Sequence, residues 1–558
     1  MDALAKALSV PPFIAQILVN RGLADAETAH RHLRVDLRDM PAPGTLRDCE
    51  RAARRLLAAI DAGERIAVYG DYDVDGVTST ALLQLFFRHE LGVEIGVYIP
   101  HRMREGYGLN CDAISRLAAE GTQVLVTVDN GSSAVKEVAH AVSLGLDVIV
   151  IDHHQVSDPA PAPYAHLNPH RPDCDFPEKV LAAVGVAFFL LVELRRVMRL
   201  EGRFTGRPEP RPDRYLDLVA LGTVADVAPL TGVNRAIVRH GVELMRRAPR
   251  EGIRGLMATA RVEPDAVTAR DLGYKLGPRV NAAGRLGDAT CGLELLCTTD
   301  PVEAGRLAAI VESKNDERRE IEHEATRGVF ALIEASADLQ AAPAFVLANA
   351  DWHPGVVGII AARLVDRFQR PTILLARDGD HWKGSARSAG GIDLKAALDL
   401  CATHLVRYGG HAAAAGLTLH HERLGAFTEA FQAIVKSEMP PVVEAGRLAD
   451  ACAPLSALDL AAVEHLERLG PFGAANPVPT LFVGGVHVVP RRFGETHLRL
   501  ELPAADLPRE AVGWGLGEHF DACRAGPVDL LCTPELDTYR GRRRIVLRLL
   551  DLRPAIRG

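Results

Sequence analysis

At 558 residues the chain is too long for one ordinary domain, and roughly three or four folding units is the prior that this length sets. A composition of 48% hydrophobic and 24% charged residues excludes collagen-like and disordered classes. The net charge of −8 excludes a protein whose whole surface binds nucleic acid, so any such contact must be local.

The N-terminal sequence MDALAKALSVPPFIAQILVN lacks a basic start followed by an uninterrupted apolar run. No later stretch approaches the ~20 apolar residues that span a bilayer. A cytoplasmic protein with no membrane partner is the expectation. The cysteines, Cys49, Cys111, Cys174, Cys291, Cys297, Cys401, Cys452, Cys523 and Cys532, contain no CxxC pair. Most of them read as small buried hydrophobes in a reducing compartment, a pattern weak for zinc and odd in number for a disulfide framework.

From about Glu64 to Gln155 strands and helices alternate. The short β-branched runs RIAVY (65–69), VEIGVYI (93–99), VLVTV (124–128) and VIVI (148–151) predict buried strands. Amphipathic stretches over 77–91 and 133–144 are long enough to be crossover helices, which implies a parallel sheet covered on both faces. In such sheets ligands collect at the carboxyl ends of the strands. Asp300-Pro301 then opens a helix that runs to about Ala335, with Glu303 in its first turn. A helix so long and so charged predicts a bridge between two lobes with a cleft between them. A second α/β segment follows from Pro343 to Met439, and Pro440-Pro441 marks a boundary. From 442 onward the short runs TLFVGGVHVV, HLRLEL, VDLLC and RRRIVLRLL predict a small all-β unit, an OB-like barrel being one candidate. The resulting division is an N-terminal helical extension over 1–45, a parallel-sheet domain over 46–230, and a helical connector with the bridging helix over 231–335. A second α/β domain over 336–440 and an OB-like domain over 441–558 complete it.

Three carboxylates, Asp71, Asp73 and Asp75, crowd into GDYDVDG directly after the first strand. Like charges repel, so a cluster this dense calls for a cation, although an Asp-rich turn with a helix cap would read the same in isolation. The later strands add Asp129-Asn130-Gly131 and Asp152-His153-His154 at their own carboxyl ends, which the strand-end rule gathers at one edge. Asp226, in LVALGTVADVAPL, is a further acidic residue in apolar surroundings; a helix cap is its plain alternative. Carboxylates with imidazole suit Mn²⁺ or Mg²⁺, and histidine tilts the choice toward Mn²⁺. Asp73, Asp75, Asp129 and Asp226, all ionised around His153, would match two divalent ions, and phosphate-ester hydrolysis is the natural reaction for such a pair.

In this order GDYDVDG, VDNG, IDHH and GTVADV resemble the four motifs of the DHH phosphoesterase superfamily. HRMREGYGLN, GPRVNAAGRLGD, WHPGVVGIIAARL, GSARS and GGHAAAAG resemble those of the bacterial RecJ family of single-strand-specific 5′ exonucleases, and the likeness covers nearly the whole chain. It implies a DHH catalytic domain and a DHHA1 substrate-binding domain joined by the long helix, with an OB-like domain that binds DNA. It further implies that Asp73, Asp75, Asp129, His153 and Asp226 hold two divalent cations, with Asp129 the bridge. Asp71, Asp152 and His154 take supporting catalytic roles beside Asp129.

A 5′ exonuclease must grip the terminal phosphate. Ser385, Arg387 and Ser388 in KGSARS offer hydroxyls and a guanidinium on a compact backbone, and His411 follows a second Gly-rich turn. Arg102, Arg279 and Arg285 sit in Gly-rich or loop-like motifs that suit phosphate ligands, structural ion pairs being the alternative. In the C-terminal region Arg491, Arg492 and Phe493, then Tyr539, Arg542, Arg543 and Arg544, interleave cations and aromatics as a strand-tracking surface would; a basic edge that discourages aggregation is the rival account. The implied partners are single-stranded DNA with a 5′ end, a single-strand-binding protein and a RecQ-type helicase, in repair and recombination. The rivals are a phosphodiesterase of the same superfamily acting on short oligonucleotides or cyclic dinucleotides, and a non-catalytic DNA-binding scaffold.

Overall fold

A computed structural model describes residues 1–438, 446–494, 496–502, 510–537 and 543–555. The first sheet is parallel throughout, in the order β2 (Gly96–Tyr98), β1 (Ile66–Tyr69), β3 (Val124–Val128), β4 (Asp147–Ile151) and β5 (Ala165–Leu167). The chain leaves β1 toward β2 on one side and returns to β3 on the other, which makes the carboxyl ends of β1 and β3 a topological switch point. Alternate residues face opposite layers. Ile66 and Val68 enter the larger core with the helices Cys49–Ala62, Val74–Phe86 and Ala183–Leu200, whereas Ala67 and Tyr69 pack with Cys111–Ala119 and Val135–Ser143. β5 was not among the predicted strands; its three residues, Ala-His-Leu, are too few to show periodicity.

The larger core runs without interruption from Leu46 to Val311, so residues 231–311 pack on the sheet domain. The helix Pro301–Ala335 is a single element of 35 residues. Its first half contributes Ala304, Leu307, Ala308 and Val311 to that core. Its second half places Val329 and Ile333 in the core of a second sheet, so it bridges two lobes as the charged pattern predicts.

The second sheet has the order β6 (Phe345–Asn349), β7 (Thr372–Asp378), β8 (His381–Arg387), β10 (Ala414–His420) and β9 (Arg407–Gly410), with only the β6–β7 pair parallel. The C-terminal sheet of the described residues has seven strands: β11 (Ala451–Cys452), β12 (Leu481–Val486), β16 (Val528–Asp537), β17 (Arg544–Pro554), β15 (Glu510–Gly513), β14 (His497–Glu501) and β13 (Val489–Phe493). Its core includes Ile14, Ile17, Leu18, Ala29 and Leu33, so the N-terminal helices and the C-terminal β unit are one packed body. Arg235 fastens that body to the lobe of the first sheet, donating to Arg468 O at 2.9 Å and Gly470 O at 2.7 Å and also to His32 O. Among the described residues no single helix is long and apolar enough to cross a membrane.

Candidate metal centre and substrate cleft

Tyr69 of β1 is in register with Thr127 of β3, and Val128 with Ile151 of β4, so the residues after each strand meet on one rim. Asp73 caps the helix Val74–Phe86, accepting from Gly76 N at 3.1 Å. A Cβ at position 76 would lie 2.7 Å from the Asp71 backbone, so only glycine lets this turn close. Asp75 is buried and accepts from Ala183 N at 2.6 Å and Val184 N at 2.9 Å, at the start of the helix Ala183–Leu200, where free N–H groups and the dipole favour an anion. Asp129 adopts φ 63°, a left-handed conformation that costs a non-glycine residue on the order of 1 kcal/mol or more. Its neighbour Asn130 pins the turn, donating to Gly70 O at 3.1 Å and Val128 O at 2.9 Å.

His153 Nε2 lies 3.3 Å from Asp129 Oδ1 and 3.8 Å from Asp75 Oδ2, and its Nδ1 is 3.8 Å from Asp226 Oδ2. Three sets of donors converge to within 4.8 Å: Asp71, Asp73 and Asp129; Asp129, His153 and His154; and Asp75, His153 and Asp226. The sets share Asp129 and His153. Asp71 Oδ1, Asp129 Oδ1 and His153 Nε2 are buried with no hydrogen-bond partner, a desolvation penalty that nothing in the protein offsets. Such donors fit a hard divalent cation. Asp152 belongs to none of the sets. Its oxygens accept from Ser132 N at 2.9 Å, His153 N at 2.8 Å, His154 N at 3.1 Å and His154 Nδ1 at 2.8 Å.

The electrostatics follow from this crowding. Burial and the Asp73 charge raise Asp75 to about 7; burial with Asp75 and Asp73 raises Asp226 to about 9. Asp71 and Asp129 are pushed well above the carboxylate range, first by burial and then by neighbouring carboxylates. Burial and the adjacent His154 lower His153 to about 4, which leaves it neutral and able to ligate. Against the penalty of its own burial, His154 is raised to about 9 by Asp152, and the same pair holds Asp152 below its ordinary range despite burial.

The rim opens into a cavity of about 310 Å³ with Asp71, Asp73, Asp75 and Asp226 on its walls and Arg102 and Arg285 facing them. Arg102 stacks over the Tyr72 ring at 4.8 Å. Arg285 reaches the second lobe, donating to Gly355 O at 3.1 Å. Arg387 and Ser385, on β8, flank the start of the helix Val357–Phe368: a Cβ on Gly358 would stand 3.1 Å from Arg387 Nη2 and 3.2 Å from Ser385 Oγ. The remaining candidates lie elsewhere or are engaged. Arg279 pairs with Glu312, Nη2 to Oε1 at 3.0 Å, donates to Lys275 O, and is absent from the cavity wall, so it takes the structural alternative. The Ser388 hydroxyl donates to Ile392 O and closes its own loop. His411 is exposed, its backbone N–H donating to Ala414 O at 2.8 Å.

On the C-terminal sheet the cations are largely neutralised: Arg491 pairs with Glu501 at 2.7 Å, Arg544 with Asp537 at 2.6 Å, and Arg543 with Glu464. Arg492 lies over the Phe520 ring at 4.8 Å. Phe493 joins an aromatic group with His497 at 5.2 Å and Trp514 at 5.3 Å, and Trp514 is 62% exposed. Tyr539 and Arg542 lie outside the described residues.

Residues 65–223 match the DHH family, N-terminal domain, 341–437 the DHHA1 domain and 449–551 the RecJ OB domain. A single-stranded-DNA-specific exonuclease RecJ of Dickeya dadantii is 40% identical over 572 residues, covering 98% of this chain and 96% of that relative. The chain belongs to the RecJ family. A RecJ structure from Thermus thermophilus in complex with Mn²⁺ superposes with TM-score 0.83 at 31% identity, covering 99% of this chain and 78% of that one. Its Mg²⁺ complex gives TM-score 0.77 at 30% identity, covering 99% and 76%. With this RecJ fold in view, two residues not singled out from the sequence stand at the site. Tyr107 donates to Asp129 O at 3.1 Å and lies 3.3 Å from His154 Nδ1, and Asn281 Oδ1 accepts from Val74 N at 3.2 Å. Arg318, a third residue not singled out, is buried on the bridging helix and donates to Glu322, which pairs with Arg363 of the second lobe. The first two lie inside the motifs HRMREGYGLN and GPRVNAAGRLGD, which were visible as strings; Arg318 was hidden in a run of charge.

Proposed function

We propose that this RecJ-family chain is a metal-dependent exonuclease that hydrolyses single-stranded DNA from the 5′ end to 5′ mononucleotides. One observation carries the reading: buried, partnerless donors of Asp71, Asp129 and His153 converge in overlapping ligand sets that face an arginine wall across one cavity. In this reading Asp73, Asp75, Asp129, His153 and Asp226 hold two divalent cations, Mn²⁺ or Mg²⁺, with Asp71 beside them. Bound there, the ions supply Lewis-acid withdrawal of charge from the scissile phosphoryl group and activation of the attacking water.

The protein's own groups do the rest. Asp152 holds His154 by the 2.8 Å Nδ1 contact, which orients the imidazole and favours its protonated form, able to donate to a phosphoryl oxygen or leaving oxygen. Tyr107 fixes the Asp129 turn. Arg102 and Arg285 of the cavity wall, with Arg387 and Ser385 of the second lobe, bind the terminal phosphate, and the span from them to the acidic rim sets which phosphodiester is cut. A cleft between lobes that admits one strand and excludes a duplex accounts for strand specificity, and the Phe493, His497 and Trp514 group offers stacking surface to the strand beyond it. A single-strand-binding protein and a RecQ-type helicase would supply that strand during repair and recombination.

The test is product analysis on a 5′-phosphorylated oligonucleotide with Mn²⁺, for the wild type and Asp129→Ala. Mononucleotides released from the 5′ end by the wild type alone are expected. Equal rates for the two proteins would remove the catalytic reading.

A further inference from the structure

The buried face of the bridging helix is apolar at Val311, Val329 and Ile333 but polar between them, at Asn315, Arg318, Glu322 and Thr326. All recur at helical spacing of three or four, so they form one stripe. A stripe of this kind in a lobe-bridging helix should be apolar, because each buried polar group left unsatisfied is destabilising. Here the satisfaction is partial. Arg318 donates from Nη1 to Glu322 Oε2 at 2.6 Å and from Nη2 to Asn315 Oδ1 at 2.8 Å, and Glu322 also pairs with Arg363 of the helix Val357–Phe368. Arg318 Nε and Asn315 Nδ2 remain buried without a partner.

The position of this polar stretch matters. The bridging helix packs there against Gly277–Leu286, whose end carries Arg285, and against Val357–Phe368, whose first turn adjoins Arg387 and Ser385. Arg318 lies along the helix between the two ion pairs that mark these contacts, Glu312 with Arg279 and Glu322 with Arg363. Burial, together with the charges of Arg102, Arg318 and Arg387, lowers Arg285 to about 10, so Arg285 stands in the field of guanidiniums from both lobes. Clustered cations of this kind call for a multiply charged anion.

We propose that Arg318 is a positioning residue for the 5′-terminal phosphate, aligned by Asn315 and by Glu322, the counter-ion it shares with Arg363 of the second lobe. The inference rests on the exonuclease reading above. Arg318 sets the spacing of Arg285 and Arg387, and Glu322 ties that spacing to the placement of the second lobe.

The test compares KM and kcat with Mn²⁺ on two oligonucleotides of one sequence, one bearing a 5′ phosphate and one a 5′ hydroxyl. Arg318→Ala is expected to shrink the KM advantage of the phosphorylated strand about tenfold, the worth of a charge-assisted hydrogen bond, while kcat changes little. Arg318→Lys should restore part of it. Arg318→Ala leaves Glu322 with Arg363 as its remaining counter-ion, so Arg318→Gln, which can still donate to Glu322, is measured too and should lose the phosphate advantage while keeping the wild-type melting temperature. A purely structural role would lower melting temperature and raise both KM values together. A folded variant that keeps the wild-type phosphate advantage overturns the proposal, as does a wild type that has none. A wild type that degrades no single strand overturns the underlying reading instead.

Discussion

Asp75 and Asp226 titrate near 7 and 9 in the folded, metal-free protein, whereas an unfolded aspartate titrates near ~3.9. A folded pKa above the unfolded one gives stability that is complete below the unfolded value and lost as pH rises through the folded value. His154, raised to about 9, acts in the same direction; His153 and His166, both lowered to about 4 chiefly by burial, act oppositely and weaken the fold as pH falls below about 6.5. The metal-free protein should therefore melt at progressively lower temperature between about pH 7 and 9. Mn²⁺ should reduce that alkaline decline, since its carboxylate ligands are then ionised by the ion itself, and calorimetry at pH 7 should show protons released on binding. Identical melting curves with and without Mn²⁺ at pH 8.5 would contradict a cation site among these carboxylates.

At the scale of elements, the catalytic turn depends on the helix Gly277–Leu286 lying directly against it. A Cβ on Gly284 would sit 2.3 Å from Tyr72 O. Gly284→Ala is predicted to cost about 1–3 kcal/mol by overpacking and to lower kcat, because the displaced Tyr72 segment carries Asp71 and Asp73. Denaturant melts and steady-state rates check both halves. On the C-terminal sheet, where most of the cations named from the sequence already have carboxylate partners, stacking should dominate over phosphate attraction. Trp514→Ala should weaken oligonucleotide binding by about 1–3 kcal/mol without changing the slope of log affinity against log salt. A slope reduced by about one would instead mark a lost phosphate contact.

Across the whole molecule the two termini share a core, so the chain passes from that body through the catalytic lobe, the bridging helix and the second lobe and returns to it. Arg235, buried at the seam, donates to carbonyls of both the N-terminal helices and the C-terminal unit. Arg235→Ala should cost about 1–3 kcal/mol by leaving those carbonyls unpaired. It should appear as an earlier proteolytic release of the C-terminal unit with nuclease activity on very short strands retained. Simultaneous loss of both would show that the seam also shapes the active centre.

The metal-binding rim was legible in sequence because parallel strands end on one side, so Asp71, Asp129 and His153 needed only their strand assignments to be placed together. The long bridging helix was legible for a similar reason: its cap, its charge and its lack of proline are local properties. The fate of the arginines was not. Arg279 and Arg285 sit six residues apart in one motif, yet one meets Glu312 and the other the cavity. Arg491 reads as a free cation until the pairing of its strand with the next brings Glu501 within reach. Sequence by itself determined which residues carry charge and where strands end, since these follow from side-chain chemistry and local periodicity. Tertiary structure alone decided which charges are already neutralised, which lobe faces the acidic rim, and that residues 1–34 belong with the far end of the chain, because those outcomes depend on contacts between segments hundreds of residues apart.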